Sequence, residues 1–313
     1  MNVGSNHKMI HIEDLCAKDL FSPETKSLSV SDGSPAAYKV FRLFTGQVRI
    51  SCEITSTSYE VYNDAIALYY NRCTDNFIKK IASYIFEEED LDIVSSLAEA
   101  VSIPRLRYRN AKYFQELYNE LCNYQFAVNA RNSVTAFIYE YRILEYIAYA
   151  CPLIYAVQSH DFYMTFAHLK NYVSNQGKNQ GKGELNFFKN AINKIFEGND
   201  ILSTSFDISL INITNESIKD AYQIILKEHI KPEWLHETTS DDIFAIKFNE
   251  VSSVLIELRN KIFHHSVNTP DNLLASQLLD MNHFMGLITP TFFTWLGIVY
   301  LEIFKSILSF ERN

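Results

Sequence analysis

Residues 242–266, DIFAIKFNEVSSVLIELRNKIFHHS, carry the pattern that decides how the chain is read. Val251, Val254, Leu255, Leu258 and Ile262 recur at steps of three and four, so they share one face of a helix. Ser253, Glu257, Asn260 and His264 form a polar stripe on another face. The spacing predicts an amphipathic helix over 242–265, buried on its apolar side and wet on its polar side. Asn260 and His264 are four apart and therefore neighbours on that helix. Arg259 lies five before His264, about 140° around an ideal helix. Its long side chain must reach across, or meet a histidine from a second copy of the helix.

The same period runs through most of the chain. Helices are expected over 62–86, 111–126, 130–157, 160–174, 184–196, 215–229 and 272–311, and Pro104 ends a helix before 105–113. Nine Gly and seven Pro in 313 residues are too few for an all-β protein with many tight turns. The exception is AYKVFRLF (37–44) and QVRISCEITSTSYEV (47–61), which alternate apolar with polar about Thr45 and Gly46 and predict a β-hairpin. Residues 174–184, SNQGKNQGKGE, and 198–215, GNDILSTSFDISLINITN, read as loops. The expected class is mainly α, with a smaller N-terminal region holding the hairpin. The expected divisions are a flexible segment over 1–36, an α+β accessory region over 37–125, and an all-α domain over 126–313.

A net charge of −9 excludes broad electrostatic binding of a nucleic-acid backbone but leaves room for a local basic cleft. The one basic stretch interleaved with aromatics is RLRYRNAKY, where Arg105, Arg107, Arg109 and Lys112 accompany Tyr108 and Tyr113. These cations are candidates for RNA contact, and a surface cluster balancing the acidic run Glu87, Glu88, Glu89, Asp90 and Asp92 is the alternative. Cys16, Cys52, Cys73, Cys122 and Cys151 are odd in number, scattered and without a CxxC pair, which fits reduced thiols in a cytoplasm. No signal sequence is expected, because MNVGSNHKMIHIEDL carries charge where an apolar core would lie. His7 and His11 have a helical metal-ligand spacing but fall in the expected flexible segment, so no metal site is assigned. Apolar runs at 139–157 and 292–310 are interrupted by Glu140, Arg142 and Glu145, and by Glu302 and Lys305. With a mean hydropathy of −0.09, buried core helices describe them better than membrane spans.

Arg259, Asn260 and His264 suit phosphoryl transfer without a metal. Histidine exchanges a proton near neutral pH, arginine offers a planar fork to phosphate, and asparagine orients either. An Arg followed after four to six residues by His, with a polar residue next to the Arg, near a helix end, resembles the signature of the HEPN superfamily. Here the match is Arg259, Asn260 and His264, with His265 adjacent, and the likeness extends over about 126–313. The helix with AFIYEYRILEYIAYA looks like the opening helix of many such domains. Its Glu145 matches their acidic position, with Glu140 and Arg142 as weaker matches. The resemblance implies a HEPN-like helical bundle and a homodimeric endoribonuclease that needs no cofactor. Such an enzyme would cleave RNA to 2′,3′-cyclic phosphate and 5′-hydroxyl ends, as a toxin or antiviral defence effector. His264 would be the acid/base, Arg259 the phosphate stabiliser, Asn260 the orienting group, and Glu145 and His265 would support them. An antitoxin or defence-system protein is the implied partner, and no membrane is involved. Ser266 stands where some relatives carry a modifiable Tyr two residues after the His, so control by that route is not implied. A non-catalytic HEPN-like interaction module and a membrane-associated helical protein remain the alternatives.

Overall fold

Ala36–Thr45 is the segment whose packing organises the N-terminal half. In the computed structural model, which describes residues 10–16, 21–67, 69–70, 76–86, 91–158, 164, 166, 183–263, 273 and 277–312, this segment is helix α1 and not a strand. Its side chains are buried all the way round from Ala37 to Thr45, including Lys39, Arg42 and Thr45, whose steps of three are a helical period that the strand reading passed over. Gly46 closes α1 with φ 75°, where a Cβ would sit 2.8 Å from the Tyr62 carbonyl oxygen. The hairpin follows it: β2 (Val48–Cys52) pairs antiparallel with β3 (Thr57–Val61).

A third strand, β1 (Ile10–Asp14), lies on the other edge of β2, within the segment expected to be flexible. The reason is polar. Arg42, fully buried on α1, donates from Nη1 to Asp14 Oδ2 at 2.7 Å and to the Leu28 carbonyl at 3.0 Å. Tyr38 Oη donates to the same carbonyl at 2.7 Å, and Asp14 also accepts the Val30 amide. A buried guanidinium demands such partners, and residues 10–36 supply them. On the outer face of the sheet, Arg49 bridges Glu13 at 2.7 Å and Glu60 at 2.6 Å.

Helices α2 (Phe77–Phe86), α3 (Leu91–Ser102), α4 (Pro104–Tyr108) and α5 (Ala111–Asn129) complete this region. Then come α6 (Ser133–Gln158), α7 (Gly183–Ile195), β4 (Ser205–Ser209), α8 (Glu216–His229), β5 (Ile243–Lys247), α9 (Val251–Phe263) and α10 (Met281–Arg312). The protein is mainly α with an N-terminal β region, as expected. It divides into two units, Met1–Arg131 with Tyr300–Asn313, and Asn132–Val299, so the last turns of α10 belong with the N-terminal residues. In the first unit Phe41 stacks on Phe304 at 4.9 Å and Tyr300 Oη donates to the Ala37 carbonyl at 2.7 Å. In the second, β4 and β5 pair antiparallel, with Phe206 opposite Ile246 and Ile208 opposite Phe244.

This second sheet corrects two expectations. Residues 243–247 are not the start of a long helix, and 205–209 are not irregular. IFAIK is a short apolar run buried on its middle positions, and such a run reads equally as helix or strand until a partner is known. The expected helix over 62–86 shortens to α2, with turns at 65–67. Of the expected helix over 160–174 only residues 164 and 166 are described, both helical. The expected loop over 174–184 gives way to α7 from Gly183, and residues 174–182, His7, Cys73 and residues 87–90 of the acidic run lie outside the described residues. Among the described residues only α10 is long and apolar enough to cross a membrane, and 72% of its apolar window is buried.

His11, on β1, is held by Asp32 at 2.6 Å through Nδ1 and by Glu53 at 2.8 Å through Nε2. Asp32 first, then Glu53, raises the imidazole pKa. Against the upward push of partial burial, His11 and the Ile12 amide draw the Asp32 carboxyl down. A raised histidine pKa gives stability that is complete below the unfolded value of about 6.5 and lost as pH rises through the folded value. The lowered carboxyl acts above about 3.9 and its share is lost as pH falls. His11 should therefore titrate above about 6.5 by NMR, and raising the pH from about 6 to 9 should lower Tm more in the wild type than in His11→Gln. A midpoint at or below the ordinary value would contradict the clamp.

Candidate active site

The position of α9 is set at its start. Phe248, in the short turn Phe248–Glu250 between β5 and α9, is fully buried against Phe196 at 4.7 Å and Phe206 at 5.8 Å. Its carbonyl accepts the indole N–H of the fully buried Trp295 at 2.9 Å. Glu250 then takes Lys189 at 2.6 Å and the Ser253 hydroxyl at 3.0 Å. From this anchored turn α9 proceeds as its stripe requires. Val251, Val254, Leu255 and Leu258 are fully buried, and Ser253, Glu257 and Asn260 keep contact with solvent. The helix begins at Val251 rather than at residue 242 and is described as far as Phe263.

The exit of α9 packs on α6. Phe263 stacks on Phe137 with ring centres 5.9 Å apart, and the Arg259 guanidinium lies 4.5 Å over the Tyr141 ring. Partners on α6 rise from 137 to 141 as those on α9 fall from 263 to 259, so the two helices run antiparallel. A cation on an aromatic face is held by about 0.5–2 kcal/mol, and the guanidinium donors, which lie in its plane, are not consumed by the stack. One of them, Nη1, donates to the Asn260 side-chain oxygen at 3.1 Å. Burial pushes the Tyr141 phenol pKa up, the Arg259 charge pulls it down, and the Glu145 and Tyr149 groups push it up. Glu145 is thus within electrostatic reach of the Arg259–Tyr141 stack, exposed and one turn further along α6. The antiparallel run means that a step toward Glu145 leads away from Phe263.

The structure therefore sets Arg259 and Asn260 beside Tyr141, with Glu145 one turn further along α6. His264 and His265 follow Phe263 in the chain and lie outside the described residues. Glu140 is completely buried, whereas Arg142 is exposed and sits 6.0 Å over the Tyr139 ring, so neither shares the Arg259 face. Arg105, Arg107, Arg109 and Lys112 belong to the first unit, at the corner between α4 and α5. Tyr141 is the residue that sequence reasoning passed over. The signal for it was the spacing Tyr141, Glu145, Tyr149, a polar and aromatic row at steps of four. Among the described residues, no three His, Cys, Asp or Glu side chains gather as metal ligands. Burial pushes the Cys16 and Cys122 thiols up to about 12, and Cys151 rises for the same reason, which leaves all three poor nucleophiles.

The stack makes a prediction that needs no activity. The side-chain protons of Arg259 should be shifted upfield in the NMR spectrum by the Tyr141 ring current, and the shift should vanish in Tyr141→Leu but persist in Tyr141→Phe. Random-coil positions for these protons in the wild type would show that the ring does not hold the guanidinium. No family model matches the chain, and neither a curated protein nor a solved structure matches it.

Proposed function

We propose that the chain is a metal-independent endoribonuclease of the HEPN type whose active site is the exit of α9. The observation that carries this reading is Arg259. It is stacked on Tyr141 and bonded to Asn260, with its donor edge accessible, five residues before His264. Arg259 binds the scissile phosphate and offsets the charge that builds on it. His264 takes the proton of the ribose 2′-hydroxyl as that oxygen bonds to phosphorus. The bond from phosphorus to the 5′ oxygen breaks, and the imidazolium of a second copy returns a proton to the leaving oxygen. Products are a 2′,3′-cyclic phosphate and a 5′-hydroxyl. Asn260 holds the guanidinium plane, and Glu145 tempers its charge from the α6 side.

One chain brings one Arg and one His of the motif, so a homodimer that faces two α9 exits across a two-fold axis is part of the proposal. A role as a cytoplasmic toxin or antiviral defence effector, restrained by a partner protein, follows from the HEPN resemblance. A non-catalytic helical interaction module is the second reading. It draws on Tyr149, Leu153 and Val157, which form an exposed row along α6 at 62%, 67% and 62% exposure.

Alanine variants separate the two. His264→Ala should lower the RNA cleavage rate by about 10²–10⁴, the usual cost of removing an acid/base group. Arg259→Ala should be comparably impaired, Asn260→Ala intermediate, and His265→Ala mild. His264→Ala and Asn260→Ala should keep the wild-type stability within about 0.5 kcal/mol. Equal cleavage by wild type and His264→Ala favours the interaction module, and loss of activity in EDTA points to a metal nuclease.

A further inference from the structure

The short helix α4 meets α5 at a corner fixed by backbone. Asn110 adopts a left-handed conformation, φ 53° and ψ 26°, and its carbonyl accepts the Phe114 amide, while the Arg109 amide bonds back to Arg105. Leu106, 2% exposed, pins α4 inward. The residues around it face solvent: Arg105, Arg107, Tyr108, Arg109 and Lys112 are all exposed. Tyr108 reaches 77% exposure, higher than the other large apolar side chains on the described surface.

Two features set this corner apart from ordinary surface. First, the corner carries no carboxylate of its own. The chain carries 37 carboxylates against 28 Lys and Arg, yet no Asp or Glu occurs from residue 100 to residue 115. Among the described residues, Arg105, Arg107 and Lys112 take part in no ion pair, while Arg42 and Arg49 of the same unit are paired at 2.6–2.7 Å. Burial lowers the pKa of the Lys39 ammonium, Asp32 opposes that, and Arg107 is close enough to add to the lowering. Like charges held together in an acidic protein cost stability, and an anionic ligand would relieve that cost. Second, a flat aromatic ring stands free in the middle of them. A duplex keeps its bases stacked and offers such a ring nothing, whereas an unstacked base can lie on it. A bilayer would need aliphatic anchors beside the cations, and Leu106 is turned the other way.

We infer that the α4–α5 corner binds single-stranded nucleic acid, with Arg105, Arg107 and Lys112 pairing phosphates and Tyr108 stacking on a base. Binding of this kind tracks backbone and base plane and is tolerant of sequence. It goes beyond the proposed chemistry at α9 and does not require it, since a strand can be held without being cut.

The test is fluorescence anisotropy of the full chain with labelled oligo(dT), which lacks the 2′-hydroxyl and so stays intact whatever happens at α9. Three phosphate contacts predict that log Kobs falls with log salt at a slope of about −2. The triple variant Arg105→Ala, Arg107→Ala, Lys112→Ala should bind at least tenfold more weakly with a slope near zero. Tyr108→Ala should lose about tenfold with the slope unchanged. The control Lys194→Ala, Lys227→Ala, Lys231→Ala removes the same charge from exposed lysines of the other unit and should bind as wild type. No binding by wild type overturns the inference, as does a triple variant with wild-type affinity and slope. Binding by wild type to phosphatidylserine vesicles but not to oligo(dT) overturns it too, in favour of a membrane surface. If oligo(dT) binds as described and RNA is never cut, the corner stands and the nuclease reading falls. If RNA is cut and oligo(dT) is not bound, the reverse holds.

Discussion

The indole N–H of Trp295 donating to the Phe248 carbonyl is the contact on which the candidate site depends. A buried indole must find an acceptor, and the one it takes lies in the turn where β5 gives way to α9. Phe196, Phe206 and Phe248 pack round that turn, and Lys189 and Ser253 hold Glu250 at its end. The strand can end and the helix begin at one place only, and the apolar stripe of α9 then fixes which way Arg259 faces. The stretch of α9 from Val251 to Arg259 brings the guanidinium from an anchored turn onto Tyr141.

Much of this was legible in the residues. The steps Val251, Val254, Leu255 and Leu258 gave both the existence of α9 and its buried face, since one side of that helix is wet and the other dry. Pattern failed where the local signal was misread or is missing. Helix α1 carries Lys39, Arg42 and Thr45 at steps of three, a helical period that the expectation of a strand passed over, and all three are buried. IFAIK is equally apolar on both readings until β4 is placed beside it, and that pairing joins residues about 40 apart in sequence. Strand β1 hides in a stretch rich in Ser, Asp and Pro because its order comes from one buried guanidinium reaching Asp14. Tyr141 was invisible for a related reason. Nothing local to α6 says that a cation will arrive from a helix more than 100 residues later.

The electrostatics of the chain are consistent with local work on an anionic ligand. A protein of net charge −9 cannot gather polyanions from a distance, and repulsion slows their approach. What it can do is present a few cations whose own partners do not neutralise them. Arg259 is held by an aromatic face and an amide oxygen, both uncharged, so its full charge remains available. The α4–α5 corner follows the same logic with several cations in place of one.

Phosphoryl transfer at the α9 exit is proposed to use the ribose 2′-hydroxyl and side chains alone. Its most direct test is to incubate the pure protein with total RNA in excess EDTA and map the chemistry of the new ends. Attack by the 2′-hydroxyl without a metal should leave cuts that carry 2′,3′-cyclic phosphate on one side and 5′-hydroxyl on the other, undiminished by the chelator. Ends bearing 3′-hydroxyl and 5′-phosphate, or cleavage that disappears with EDTA, would contradict it.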